Sequence, residues 1–161
     1  MGGGEPVEEA KQEDASAIST EQNDVATVMS KNISIVPPVS GTIASGYGAR
    51  DEILQGVGTY HTGIDIANKL NTEIHSATEG TVVKTEKNNK YYGNNIEIEK
   101  DGIIFKYGHL NSIDVNQGDT VTQGQLIGHM GSTGMSTGSH LHFEIKVNSR
   151  TVNPAEIVSF Q

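Results

Sequence analysis

Cysteine is absent from this 161-residue chain, which excludes disulfide frameworks, thiolate metal sites and cysteine nucleophiles together. Tryptophan is absent as well, and hydrophobic residues make up only 34%, below the roughly 45–50% of globular domains, an average that also counts glycine. No apolar run approaches the length of a membrane span, and no signal-peptide apolar core follows Met1. Positive charge is the scarcer sign: 11 Lys+Arg against 20 Asp+Glu give −9, which argues against nucleic acid as a partner. What the chain has in excess is glycine, with 19 residues. Many glycines and few long apolar stretches point to short β-strands joined by tight turns.

The charge is uneven. Residues 1–30 carry seven acids (Glu5, Glu8, Glu9, Glu13, Asp14, Glu21, Asp24) against Lys11 alone, a balance of −6, and the remainder of the chain carries only −3. This first segment has no aromatic residue and few large aliphatics, too little apolar surface to offset chain entropy. Residues 1–32 therefore read as a flexible acidic arm, a solvated linker in preference to an acidic docking segment, and 33–161 as the folded domain. Gly2-Gly3-Gly4 after Met1 reads as a cloning remnant, which puts the natural N-terminus, and any membrane anchor it carries, outside this sequence.

From Ile33 the chain breaks into β-branched runs punctuated by glycine. Ile33–Val36 precedes Pro37-Pro38 and suits an edge or entry segment. Thr81–Glu86, Asn95–Glu99 and Ile103–Lys106 read as strands, with Lys100-Asp101-Gly102 and Gln123-Gly124 as turns. Leu141–Val147 alternates strictly, and only Asn153–Val158 carries a possible helical turn. The fold class is all-β, mainly antiparallel sheets, with a disordered N-terminal arm.

The chemistry concentrates in histidines. In His140-Leu141-His142 the two imidazoles share one strand face with Glu144 and Lys146, while Leu141, Phe143, Ile145 and Val147 take the core face. Such a pair can share a metal or divide the labour between ligand and base, although exposed strands also carry such pairs. In His61-Thr62-Gly63-Ile64-Asp65, Gly63 and the alternating isoleucines favour one strand that aims His61 and Asp65 the same way. Imidazole plus carboxylate suits a catalytic zinc site; the alternative is an Asp that only orients a histidine. Tyr107-Gly108-His109-Leu110 puts a third histidine at the end of the Ile103–Lys106 strand, and a Gly/Ser/Thr-rich loop, Gly131–Ser139, leads into His140.

His61-xxx-Asp65, Tyr107-Gly108-His109-Leu110 and Gly131-Ser132-Thr133-Gly134-Met135-Ser136-Thr137-Gly138-Ser139-His140-Leu141-His142-Phe143-Glu144 resemble the M23 metallopeptidases, the LytM/lysostaphin-like endopeptidases. The likeness runs from about Val39 to Val152-Asn153-Pro154. It implies a LytM-like domain of the duplicated-hybrid type, with Zn2+ held by His61, Asp65 and His142 and a fourth position left open. It implies that His109 and His140 act beside the metal as acid, base or oxyanion donor. The implied reaction is hydrolysis of peptide bonds in peptidoglycan stem or bridge peptides, without a covalent intermediate. Some relatives use a tyrosine before the first histidine, for which Tyr47 and Tyr60 are both candidates. His75 and His129 match no position and read as ordinary surface or turn residues.

Other metal folds fit less well. A cupin expects its Glu three or four residues beyond the second His, whereas Glu144 comes at two. An iron facial triad spaces its first pair by one residue, and leaves His109 and His140 without a role. A lipoyl-like domain shares the Val121–Gly128 cadence but would need a lysine at the hairpin tip. Within the resemblance, a second reading is a zinc-binding scaffold of the sporulation engulfment protein Q type. That type pairs with a stage III AH-like envelope protein in a mother cell–forespore channel. Both readings imply an extracytoplasmic location.

Overall fold

The computed structural model describes residues 20–49 and 60–160. Period-two alternation and glycine turns resolve there into β1 (Thr42–Ser45), β2 (Gly48–Ala49), β3 (Tyr60–His61), β4 (Ile64–Ala67), β5 (Glu73–His75) and β6 (Gly80–Asn89). They continue in β7 (Gly93–Lys100), β8 (Ile103–Ile113), β9 (Thr120–Val121), β10 (Leu126–Met130), β11 (His140–Val147) and β12 (Arg150–Val152). A single 3-10 turn, Pro154–Glu156, follows, capped by the Asn153 side chain, where the sequence allows a helical turn. Ten of these strands make one antiparallel sheet with the path β1-β4-β11-β8-β7-β6-β9, while β2 and β3 form a separate ribbon. The all-β expectation holds. Ile33–Val36 forms no strand, although the Val36 N–H still donates to the Ala77 carbonyl at 2.9 Å.

The centre of the sheet is the β4-β11-β8 triplet. Its register sets Phe143 opposite Ile64 and Tyr107, and Ile145 opposite Phe105. Directly opposed residues of an antiparallel pair share a face, so these side chains stack into one layer. The Phe143 ring lies 5.4 Å from that of Tyr107 and 6.5 Å from that of Phe105. Burying each such side chain contributes roughly 1.5–3 kcal/mol. The opposite face of β11 departs from the expectation. His142 and Glu144 are buried too, with Thr62 and Tyr92 packed onto that face.

The N-terminal arm differs from its expectation in part. Residues 1–19 lie outside the described residues, but residues 20–30 form a helix, α1. Asp24 and Val28, four apart, occupy one helical face. Val28 is buried in the core, and the Asp24 carboxylate accepts two hydrogen bonds from Arg150, from Nε at 2.7 Å and from Nη2 at 2.8 Å. A low apolar content over 1–32 hid a helix that docks through buried Val28, half-buried Val25 and one forked ion pair.

Two glycines decide how the chain enters the site. At Gly63 an added Cβ would overlap the Phe143 carbonyl oxygen and press to 2.9 Å from Glu144 Cγ. At Gly93, with φ +62, it would overlap Thr133. Both are places where one backbone segment lies directly on another. Gly63→Ala should therefore push β4 from β11 and destabilise the fold by about 1–3 kcal/mol, the usual range for overpacking. Urea unfolding measures this; an unchanged midpoint would show that the close approach is dispensable.

Candidate metal centre

His61 ends β3 and Asp65 is the second residue of β4, so a bend at Thr62-Gly63 separates them. The expected single strand is not formed, because Gly63 rests on the β11 backbone and turns the chain before β4 joins the sheet. The two side chains converge all the same. On β11, His142 lies opposite Asp65. His61 Nε2 is 3.3 Å from Asp65 Oδ1 and 3.2 Å from His142 Nδ1, and His142 Nδ1 is 3.0 Å from Asp65 Oδ1. Ligands bound at 2.0–2.1 Å around a tetrahedral ion stand about 3.3 Å apart. The triangle therefore fits a small tetrahedral cation, and its two nitrogens and one anionic oxygen are the donor types zinc accepts. Among the described residues these three make the one such group.

Each ring nitrogen outside the triangle has an acceptor. His61 Nδ1 meets the Gly46 carbonyl at 2.8 Å, and a carbonyl can only accept, so this nitrogen carries the proton and Nε2 keeps its lone pair. His142 Nε2 donates to Glu144 Oε2 at 2.8 Å. Burial opposes charge on His142, but its hydrogen bonds to Asp65 and Glu144 outweigh burial and raise its pKa to about 9. The same contacts act in reverse on the acids. Burial favours protonated Asp65 and Glu144, yet hydrogen bonds, His142's foremost, hold Asp65 far below the carboxylate range and Glu144 at about 2.

His140 faces the same Asp65, and His109 packs against the rings of His140 and His142. The expected strand end at Lys106 is instead the middle of β8, which runs on to Ile113. Between Tyr107 and Leu110 this strand carries one residue more than β7 carries between Ile96 and Asn94. His109 sits in that bulge at φ 65, a left-handed conformation rare outside glycine. The irregularity re-aims its ring: Nδ1 donates to the Thr133 carbonyl at 2.6 Å, leaving the Nε2 lone pair free. Burial pushes the His109 pKa down to about 4, although the Thr133 bond opposes this. His140 Nδ1 donates to the Gly138 carbonyl at 3.0 Å, and its Nε2 stands 3.6 Å from Asp65 Oδ1. The His109 and His140 ring centroids are 4.7 Å apart.

The structure adds residues that sequence reasoning passed over. Glu144 was legible as a same-face neighbour of His142 but not as its partner. Thr62 and Tyr92 also donate to Glu144 Oε2, at 2.6 Å and 2.8 Å. Tyr92 gives no local signal, since it arrives from the β6–β7 turn. Burial first, then the Glu144 charge, raises its pKa beyond the usual tyrosine range, so its hydroxyl stays a donor. Tyr47, a candidate from the sequence, instead donates its hydroxyl to the Thr151 carbonyl. His75 bonds the Gly124 carbonyl and His129 pairs with Asp114, outside the cluster.

A profile described as Peptidase family M23 matches residues 59–154. The DD-carboxypeptidase/endopeptidase Mpg of Neisseria meningitidis serogroup B is 38% identical over 125 residues, covering 76% of this chain and 28% of the relative. The peptidoglycan DD-endopeptidase ShyA of Vibrio cholerae is 40% identical over 94 residues, 58% of this chain and 22% of the relative. The chain thus spans about a quarter of the length of these relatives. Among solved structures, a chain of the SpoIIQ–SpoIIIAH pore-forming complex superposes with a TM-score of 0.70 at 27% identity, over 78% of this chain and 91% of that one.

The metal-free protein should lose stability between about pH 6.5 and 9. His142 has a folded pKa of about 9 against 6.5 when unperturbed, so in that window the native state binds the extra proton and rising pH favours unfolding. Below about 6.5 this contribution is fully present. His109, with its lowered pKa, contributes in the opposite sense and only as pH falls from about 6.5 towards 4. Melting temperatures with EDTA across pH 6–10 measure the slope, and His142→Asn should flatten it.

Proposed function

The chain belongs to peptidase family M23, and on that premise we propose that it is a zinc-dependent endopeptidase hydrolysing peptide bonds of bacterial peptidoglycan. The observation that carries this reading is the convergence of five side chains. Three aim donor atoms at one point, and His109 and His140 stand beside them with their Nδ1 protons already committed. In this reading His61, Asp65 and His142 hold Zn2+. When bound, zinc supplies Lewis acidity to a peptide carbonyl and lowers the pKa of water.

The remaining work falls to the protein. His109 offers Nε2 as the acceptor for a proton leaving the attacking water, since Nδ1 is locked on Thr133. His140, locked on Gly138, presents Nε2 on the Asp65 side. Once protonated, it donates to the developing oxyanion or to the departing amine. The C–N bond breaks, the carbon gains the water oxygen, and the amine nitrogen gains a proton, with no covalent enzyme intermediate.

Peptidoglycan as substrate implies an extracytoplasmic site of action, by secretion or by an anchor preceding this sequence. No helix among the described residues is long and apolar enough to cross a membrane. The likeness to the pore-complex chain, which extends over nine-tenths of that chain, favours a second reading. There the domain is a zinc-binding scaffold that pairs with a stage III AH-like partner between mother cell and forespore. A scaffold needs the metal triangle at most and makes no use of His109 or His140.

Purified protein should carry stoichiometric zinc that His61→Ala loses. Incubated with purified sacculi, the wild type should release new muropeptides. His109→Ala and His140→Ala should keep zinc and lose about 10²–10⁴-fold in turnover, the usual contribution of a general acid or base. Zinc-loaded wild type that leaves sacculi intact, but captures an AH-like partner, would select the scaffold reading.

A further inference from the structure

Glu144 is only 1% exposed, and a carboxylate so buried persists only if its charge is compensated. Its compensation is specific. Three donors from three segments, His142 Nε2, Thr62 Oγ1 and the Tyr92 hydroxyl, meet on the single oxygen Oε2 at 2.6–2.8 Å. The sheet register extends the arrangement sideways: Glu144 lies opposite Lys106, and Lys106 opposite Glu97. Lys106, itself buried, sits 3.8 Å from the centre of the Tyr92 ring and 3.1 Å from Glu97 Oε2. A row of alternating charge, half-buried at Glu97 and buried at Lys106 and Glu144, thus crosses three strands and ends on a histidine of the metal triangle.

We propose that Glu144 is a positioning residue for the metal site: it fixes His142 with Nε2 protonated and Nδ1 turned to the ion, and Tyr92 and Thr62 hold Glu144 in place to do so. This rests on the zinc reading above. His61, His109 and His140 are oriented by neutral carbonyls of Gly46, Thr133 and Gly138. His142 alone is oriented by a carboxylate, which raises the basicity of the opposite nitrogen as well as aiming it. Charge balance gives a second reason. A dication facing Asp65 alone would leave a net positive charge in a buried site, and Glu144 neutralises it.

Tyr92 links this device to the proton-handling side. Its hydroxyl holds Glu144, and its backbone carbonyl accepts the His109 N–H at 2.7 Å. One residue of the β6–β7 turn therefore steadies both a metal ligand and the proposed proton acceptor.

The test is zinc affinity by chelator competition on the full chain, for wild type, Glu144→Ala, Glu144→Gln and Tyr92→Phe, with cobalt(II)-substituted spectra alongside. Glu144→Ala should bind zinc about 10- to 100-fold more weakly, the usual cost of losing such a partner, and shift the cobalt visible bands. Glu144→Gln, whose amide oxygen can still accept from His142, should recover most of the affinity and the wild-type band positions. Tyr92→Phe, a change small enough to preserve the fold if Glu144→Ala does not, should weaken zinc about two- to tenfold, the worth of one hydrogen bond. Wild-type zinc affinity and spectra in both Glu144→Ala and Tyr92→Phe would overturn the proposal while leaving the zinc site intact. A wild type that binds no zinc would overturn the zinc reading, and this inference with it.

Discussion

An imidazole has two nitrogens, and a histidine site works only if each ring's proton is on the correct one. That constraint organises this structure. Four histidines cluster at Asp65, three approaching its carboxylate and His109 packed on their rings, and each has one nitrogen committed to an acceptor: Gly46, Thr133 and Gly138 carbonyls for His61, His109 and His140, and the Glu144 carboxylate for His142. Those acceptors come from the β1–β2 link, the Gly131–Ser139 loop and β11 itself. Without them the same side chains would sample both tautomers, and no fixed set of lone pairs would face one point.

The fold reads as the means of delivering those acceptors. A regular antiparallel sheet would space its side chains by strand separation and pleat, too evenly to gather four rings. Three irregularities break the evenness. The bend at Thr62-Gly63 splits His61 from Asp65 onto two sheets and lets Thr62 reach Glu144. The bulge in β8 turns His109 inward at φ 65. The contact of Gly93 with Thr133 brings the loop carbonyl within reach of that ring. The regular part, Phe143 stacked between Phe105 and Tyr107, supplies the rigidity against which these departures hold.

How much of this was legible in the sequence follows from which forces are local. Alternation in Leu141–Val147 and the turns at Lys100-Asp101-Gly102 and Gln123-Gly124 are short-range, and they read correctly. The grouping of His61, Asp65 and His142 was implied by the resemblance of the motifs to the M23 peptidases, whereas the residues alone left each same-face pair open and the single strand inferred to carry the first two is not formed. The bulge at His109 depends on how β7 pairs with β8, which no local pattern states. Tyr92 is the clearest case. Its hydroxyl meets a carboxylate 52 residues away, and its own neighbourhood, Lys90-Tyr91-Tyr92-Gly93, reads only as a turn. The helix at residues 20–30 is hidden by the composition of the acidic arm as a whole, because its docking comes from a few residues, Asp24, Val25 and Val28.

The charge pattern also explains how the site keeps its shape with or without an ion. Glu144 and Asp65 are two carboxylates on opposite sides of His142, and such a pair needs a cation between them. A proton on Nδ1 meets that need, which is why His142 is so basic here. In the proposed zinc reading a metal ion at the same nitrogen would meet it too, so proton and metal would compete for one lone pair in one geometry. Binding would then exchange one cation for another between fixed walls and demand little rearrangement. The Thr62 and Tyr92 hydroxyls, donating to the same Glu144 oxygen, compensate the second carboxylate from its other sides. The basicity of His142 and the stability of the fold around it therefore draw on the same carboxylates, and neither can be tuned without the other.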